Sequence, residues 1–239
     1  MTFKQYMVEG YIQLPDELRL QATRIAKLIK KAYADQYFRE ELYKNIPQLV
    51  TQFEYKNKNI SVVVHYAPPK KFPYRRASVS GLRDLTQSEP IIIKFFYKTT
   101  NSLDREDIEK MCIHELTHIV DKGLPGDPIQ SSSHKTYHQY LSSRTEVEAR
   151  INEYLFIIRQ VAKNPDNINS LYIDLRSLLN NPKALLHNFI YQIFPYGDKS
   201  ANNTLVNNFL QNKKFIRKLS NAVYHEMMQI KDKYSKRAP

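Results

Sequence analysis

Apolar and polar positions along the chain switch between two periods. After Pro15-Asp16, apolar residues recur at Leu18, Ala22, Ile25, Leu28, Ile29 and Ala32. That is the spacing of an amphipathic helix over residues 15–34. A second helical stretch is expected over 36–50, ended by Asn57-Lys58-Asn59. Residues 60–66 are short and β-branched, which predicts a strand. A proline-rich loop follows over 67–75, then a short edge strand over 77–81. Pro90 opens the strongest strand signal, at 91–97. Helical spacing returns after Ser102 and Asp104, either of which can cap a helix that Gly123 stops. Residues 134–141 predict a short helix and 143–163 a long one. The core face of the long helix is Val147, Ile151, Tyr154, Leu155, Ile158 and Val161. Residues 166–235 predict three or four helices, broken near Asn180-Asn181-Pro182 and Pro195-Tyr196-Gly197. The pattern is that of an α+β chain without repeats. It has an N-terminal helical region over 1–57, a mixed core over 58–165 and a helical region over 166–239, or all three in one compact unit.

Composition narrows the classes. With 239 residues, 42% of them hydrophobic, and with 17 Tyr and 11 Phe, the chain can bury a sizeable core. Cys112 is the one cysteine, which excludes an intramolecular disulfide and a zinc ribbon and fits a reducing compartment. The N-terminal stretch lacks the apolar core of a signal peptide, and no apolar run approaches the roughly 20 residues of a membrane span. The expected location is therefore cytoplasmic, without membrane partners. Five glycines among many Lys, Asn, Ile and Tyr fit an AT-rich genome, such as that of a phage, in which case the location is the host cytoplasm. The net charge of +12 favours an acidic partner or nucleic acid. Solvated lysine-rich helix faces account for it equally well. The basic pairs Lys30-Lys31, Lys70-Lys71, Arg75-Arg76 and Lys213-Lys214 are dispersed and carry no nucleic-acid-binding signature.

The chemistry concentrates at His114-Glu115-Leu116-Thr117-His118. One helical turn apart, His114 and His118 share a face and can grip one Zn²⁺. They lie on a stripe with Met111 and Asp121, beside the apolar stripe of Ile108, Cys112, Leu116 and Ile119. Glu115 sits next to the pair, where it can handle the proton of a water at the metal. A catalytic zinc takes a third protein ligand and keeps one position open. The segment Thr145-Glu146-Val147-Glu148-Ala149-Arg150 supplies Glu146 as the leading candidate. Glu146 also completes a capping box with Ser143, and Glu148 lies nearer the core face and is an alternative ligand. His134 and His138 are rival third ligands.

His-Glu-x-x-His followed by Glu146-x-x-Ala149 resembles the gluzincin metallopeptidases. The short gap from His118 to Glu146 is similar to that of the ImmA/IrrE-type enzymes. The resemblance covers roughly residues 60–160 of the chain. It implies a zincin-like core, in which a small sheet accompanies the motif helix and the ligand helix, with added N- and C-terminal helices. It implies a zinc-dependent endopeptidase acting on a protein or peptide, with His114, His118 and Glu146 on the metal and Glu115 as general base. Arg150 departs from the pattern, because gluzincins place Asp or Asn four residues after the ligand Glu to hold a ligand histidine. Asp121 is a candidate for that support. Tyr137, His138, Arg144 and Tyr154 are candidate oxyanion donors, and the 91–97 strand is a candidate to pair with an extended substrate. SprT-like proteases, which cut proteins crosslinked to DNA, place a third His at a spacing similar to His134. This chain has Lys135 where they carry glycine. A second class of reading is a zincin fold used as a binding or assembly module.

Overall fold

The computed structural model describes residues 11–70, 76–80, 90–122, 144–193, 203, 206–207 and 209–235. The Gly123 stop, the 134–141 helix and the break at 195–197 lie outside them. The described residues are α+β, with eight α-helices and one four-stranded sheet. Among them no helix is long and apolar enough to cross a membrane. The chain divides into two compact units, one of Leu14–Ser133 and one of Met1–Gln13 with His134–Pro239.

The first unit begins with helix α1, Asp16–Ala34. Asp16 and Glu17 in its first turn complement the helix dipole. Leu18, Ala22, Ile25, Ala26, Ile29 and Tyr33 form its buried face. Each buried Ile or Leu there contributes about 1.5–3 kcal/mol. Helix α2, Gln36–Tyr43, starts on an Asp35 cap that accepts from the Phe38 N–H. It ends well before residue 50, earlier than the periodicity suggested. Asn45 takes a left-handed φ of 60°. Its N–H donates to the Leu42 carbonyl, and the Ile46 N–H donates to the Glu41 carbonyl. That double bond pattern is a Schellman stop, with asparagine in the left-handed position.

The chain then turns into strand β1, Gln48–Tyr55, which antiparallel pairing joins to β2, Lys58–His65. Lys56 and Asn57 link them with φ of 48° and 61°, the two left-handed residues of a tight hairpin. The Asn57-Lys58-Asn59 signal is thus a hairpin turn between strands. Val50 is the extra residue where the register slips between Leu49 and Thr51, a β-bulge. Strands β3, Ala77–Ser80, and β4, Ile91–Phe96, complete the order β1-β2-β4-β3. β4 runs parallel to β2 and antiparallel to β3. Both its edges are therefore taken, and the expectation that it pairs with a substrate does not hold. Ile60, Val62 and Val64 stand beside Ile91, Ile93 and Phe95 in register, and all six are buried. A short helix α3, Tyr97–Thr100, leads into α4, Arg105–Lys122. α4 packs on α1 and on β3.

The second unit is helical: α5 is Arg144–Val161, α6 Ile168–Asn180, α7 Pro182–Ile193 and α8 Lys213–Ser235. Ile151, Leu155 and Ile158 of α5 pack with Leu185, Phe189, Leu219 and Val223 in one core. Val161, expected in that face, is exposed at the helix end. Polar ties fix α5 in this unit. Arg159 grips Glu226 of α8 with Nε 2.7 Å from Oε1. Glu148, fully buried, accepts from Lys218 of α8 and from the Ile12 N–H at 2.9 Å. Asn152 donates to the Ile12 carbonyl at 2.8 Å. Removing one member of a buried ion pair leaves the other charge uncompensated. Glu148→Ala should therefore lower the unfolding free energy by about 3–5 kcal/mol in a urea titration. A loss below about 1 kcal/mol, the scale of an exposed pair, would show that Lys218 is not held by Glu148.

Candidate metal centre

Three contacts locate α4. Asp104 caps it, accepting from the Asp107 N–H at 2.8 Å. Glu106 and Asp107 occupy the first turn, where negative charge suits the dipole. Lys30 of α1 donates to the Leu103 carbonyl at 2.9 Å, and Thr23 of α1 donates to Glu109 at 2.6 Å. The helix is thus pinned to α1 before and within its first turns. Beyond them, residues 112–119 are buried on every side. Cys112, Ile113, Leu116 and Ile119 supply the apolar part of that burial.

His114, Glu115, Thr117 and His118 are the polar residues in this buried stretch. Buried polar groups need partners. Thr117 finds one locally, donating to the Ile113 carbonyl at 2.8 Å. The two histidines turn toward each other, with their Nε2 atoms 3.1 Å apart and their rings crossed at 86°. Two nitrogens bound tetrahedrally to one Zn²⁺ at 2.0–2.1 Å lie about 3.3 Å apart. The separation already present is therefore close to that of a metal-binding pair. Cys112 is not part of this chemistry. Burial, then Glu109 and Glu115, push its thiol well above the usual range, so it stays protonated and unreactive.

On α5, Glu146 is buried with 3% of its surface exposed. Among the described residues, His114, His118 and Glu146 are a buried group that could hold a metal ion. Two imidazoles and a carboxylate are a donor set that suits zinc. Glu148, the alternative carboxylate, already has one oxygen on Lys218 and the other on the Ile12 N–H.

Tyr154, a candidate oxyanion donor, is 1% exposed, and its hydroxyl donates to Asn188 at 2.6 Å. Packed against Phe189, it is a core residue with no face for a substrate. His134, Tyr137 and His138, and the side chains of Asp121 and Arg144, lie outside the described residues. Sequence reasoning passed over Glu153, which is 3% exposed and accepts from Arg150 with both oxygens, at 2.9 and 3.0 Å. The signal was available, since Glu146, Arg150 and Glu153 fall at i, i+4 and i+7 on one helix face.

If His114 and His118 hold Zn²⁺, free metal at 100 times Kd should raise the unfolding free energy by about 2.7 kcal/mol. His118→Ala should lose that gain in thermal unfolding with and without zinc, and an undiminished gain would place the metal elsewhere. Compared with protein-family models, curated protein sequences and solved structures, the chain shows no significant match to any of them.

Proposed function

We propose that the chain is a zinc-dependent metallopeptidase of gluzincin type, hydrolysing peptide bonds in a protein or peptide substrate in the cytoplasm. The observation that carries this reading is the buried donor group of His114, His118 and Glu146, with Glu115 next to His114 on α4. In this reading the sheet with α4 and α5 forms the zincin-like core. The SprT-like alternative needs a ligand at His134 or His138, both of which lie outside the described residues.

A bound Zn²⁺ would supply Lewis acidity toward the scissile carbonyl and make water acidic enough to attack near neutral pH. The protein's residues do the rest. His114 and His118 present neutral imidazole nitrogens, and Glu146 adds a negative charge that offsets part of the cation's. Glu115 takes a proton from the attacking water as its oxygen bonds to the carbonyl carbon, then delivers that proton to the departing amine nitrogen. The water's atoms are thereby divided between the new carboxyl group and the new amine. Burial around α4 keeps bulk water from this proton transfer. β3 is outermost on its side of the sheet and packs against α4, so it is the strand for an extended substrate to join.

Glu115→Gln removes the base and keeps the shape. It should retain stoichiometric zinc and lose about 10²–10⁴-fold in cleavage, the usual contribution of a general base. The assay is mass spectrometry of a proteome-derived peptide library, with a chelator-treated control. Undiminished chelator-sensitive cleavage by Glu115→Gln would contradict the mechanism.

A further inference from the structure

Arg150 stands where the resembled family carries Asp or Asn, and its surroundings give it a different task. Glu146, Arg150 and Glu153 share one face of α5 at one-turn intervals. The side chains of Glu146 and Glu153 are each 4% exposed, that of Arg150 24%. Both oxygens of Glu153 accept from Nη1 of Arg150, at 2.9 and 3.0 Å. Nη2 of the same guanidinium lies 4.0 Å from Oε2 of Glu146. One planar cation therefore stands between two buried carboxylates on a single helix.

We propose that Arg150, gripped by Glu153, is a positioning residue that holds the Glu146 carboxylate in its ligand orientation. The inference rests on the zinc reading above. A long side chain such as arginine has many rotamers in solution, and charge-assisted bonds to Glu153 remove that freedom. The fixed guanidinium then attracts Oε2 of Glu146, which leaves the other oxygen as the donor for the ion. Its positive charge also offsets the cost of holding two carboxylates close together and out of water. The family position that orients a ligand histidine is used in this chain to orient the ligand carboxylate. Partners of this kind are worth about 10–100-fold in metal affinity.

The test is zinc affinity, measured by competition with a chelating indicator, in the wild type, Glu153→Gln, Arg150→Gln and Arg150→Lys. Folding of each is checked by circular dichroism at the assay temperature. Glu153→Gln and Arg150→Gln should bind zinc about 10–100-fold more weakly while folded. Arg150→Lys should not restore binding, because an ammonium cannot hold Glu153 and reach Glu146 as a planar fork does. With Co²⁺ in place of zinc, the visible absorption of Glu153→Gln should shift from that of the wild type, which a purely structural defect remote from the ion would not cause. Should Arg150→Gln fail to fold, the near-isosteric Glu153→Gln decides alone. Wild-type affinity in folded Glu153→Gln, or in Arg150→Lys, overturns the positioning role and leaves the metal site standing. Absence of zinc binding by the wild type overturns the zinc reading itself.

Discussion

The need to compensate buried carboxylates governs this structure. Glu109, Glu115, Glu146, Glu148, Glu153 and Glu226 are all buried. A carboxylate cannot stay charged out of water without a partner, because its desolvation costs several kcal/mol. Four of the six make hydrogen bonds that brace the helices within their own unit. Glu109 accepts from Thr23, Glu148 from Lys218 and Ile12, Glu153 from Arg150, and Glu226 from Arg159. These contacts join helix to helix, or hold one helix face, and so fix where α4 and α5 can lie in their units. Glu146 has the Arg150 guanidinium 4.0 Å from Oε2. Glu115 and Glu146 are also the two carboxylates given roles in the proposed metal chemistry.

The rigidity of the helices follows from the same contacts. α4 is capped by Asp104 and braced to α1 by Thr23 and Lys30. Its histidines therefore meet with little freedom, 3.1 Å apart, and an ion bound there would find them already ordered. α5 is tied to α8 by Lys218 and Arg159, to α7 by Tyr154, and to residue 12 by Glu148 and Asn152. A helix held at so many points keeps its register, as the narrow geometry of the proposed zinc site would require.

Much of this was legible in the sequence, for reasons particular to each element. α1 carried an unambiguous period because it buries one regular face, while β2 and β4 were legible as short β-branched or apolar runs. The pairing of His114 with His118 was legible because residues four apart share one helix face. The 36–50 stretch misled because Leu42, Ile46, Leu49 and Val50 suit a helix by spacing, while Asn45 and Pro47 stop it. Neither residue alters the hydrophobic period, so only their backbone preferences gave the stop away. The interior place of β4 was not legible, since a continuous apolar run reads the same in any buried strand. Tyr154 looked available for chemistry because its partner, Asn188, is distant in sequence. The Arg150–Glu153 clamp was visible as spacing, but its importance depends on burial, which the sequence does not display.

The central claim is a metal held by His114, His118 and Glu146. X-ray absorption at the zinc edge of the loaded protein tests it most directly. The account predicts two imidazole ligands and at least one carboxylate oxygen at about 2.0–2.2 Å, with the carboxylate contribution lost in Glu146→Ala. A spectrum with three imidazoles, unchanged by Glu146→Ala, would contradict it.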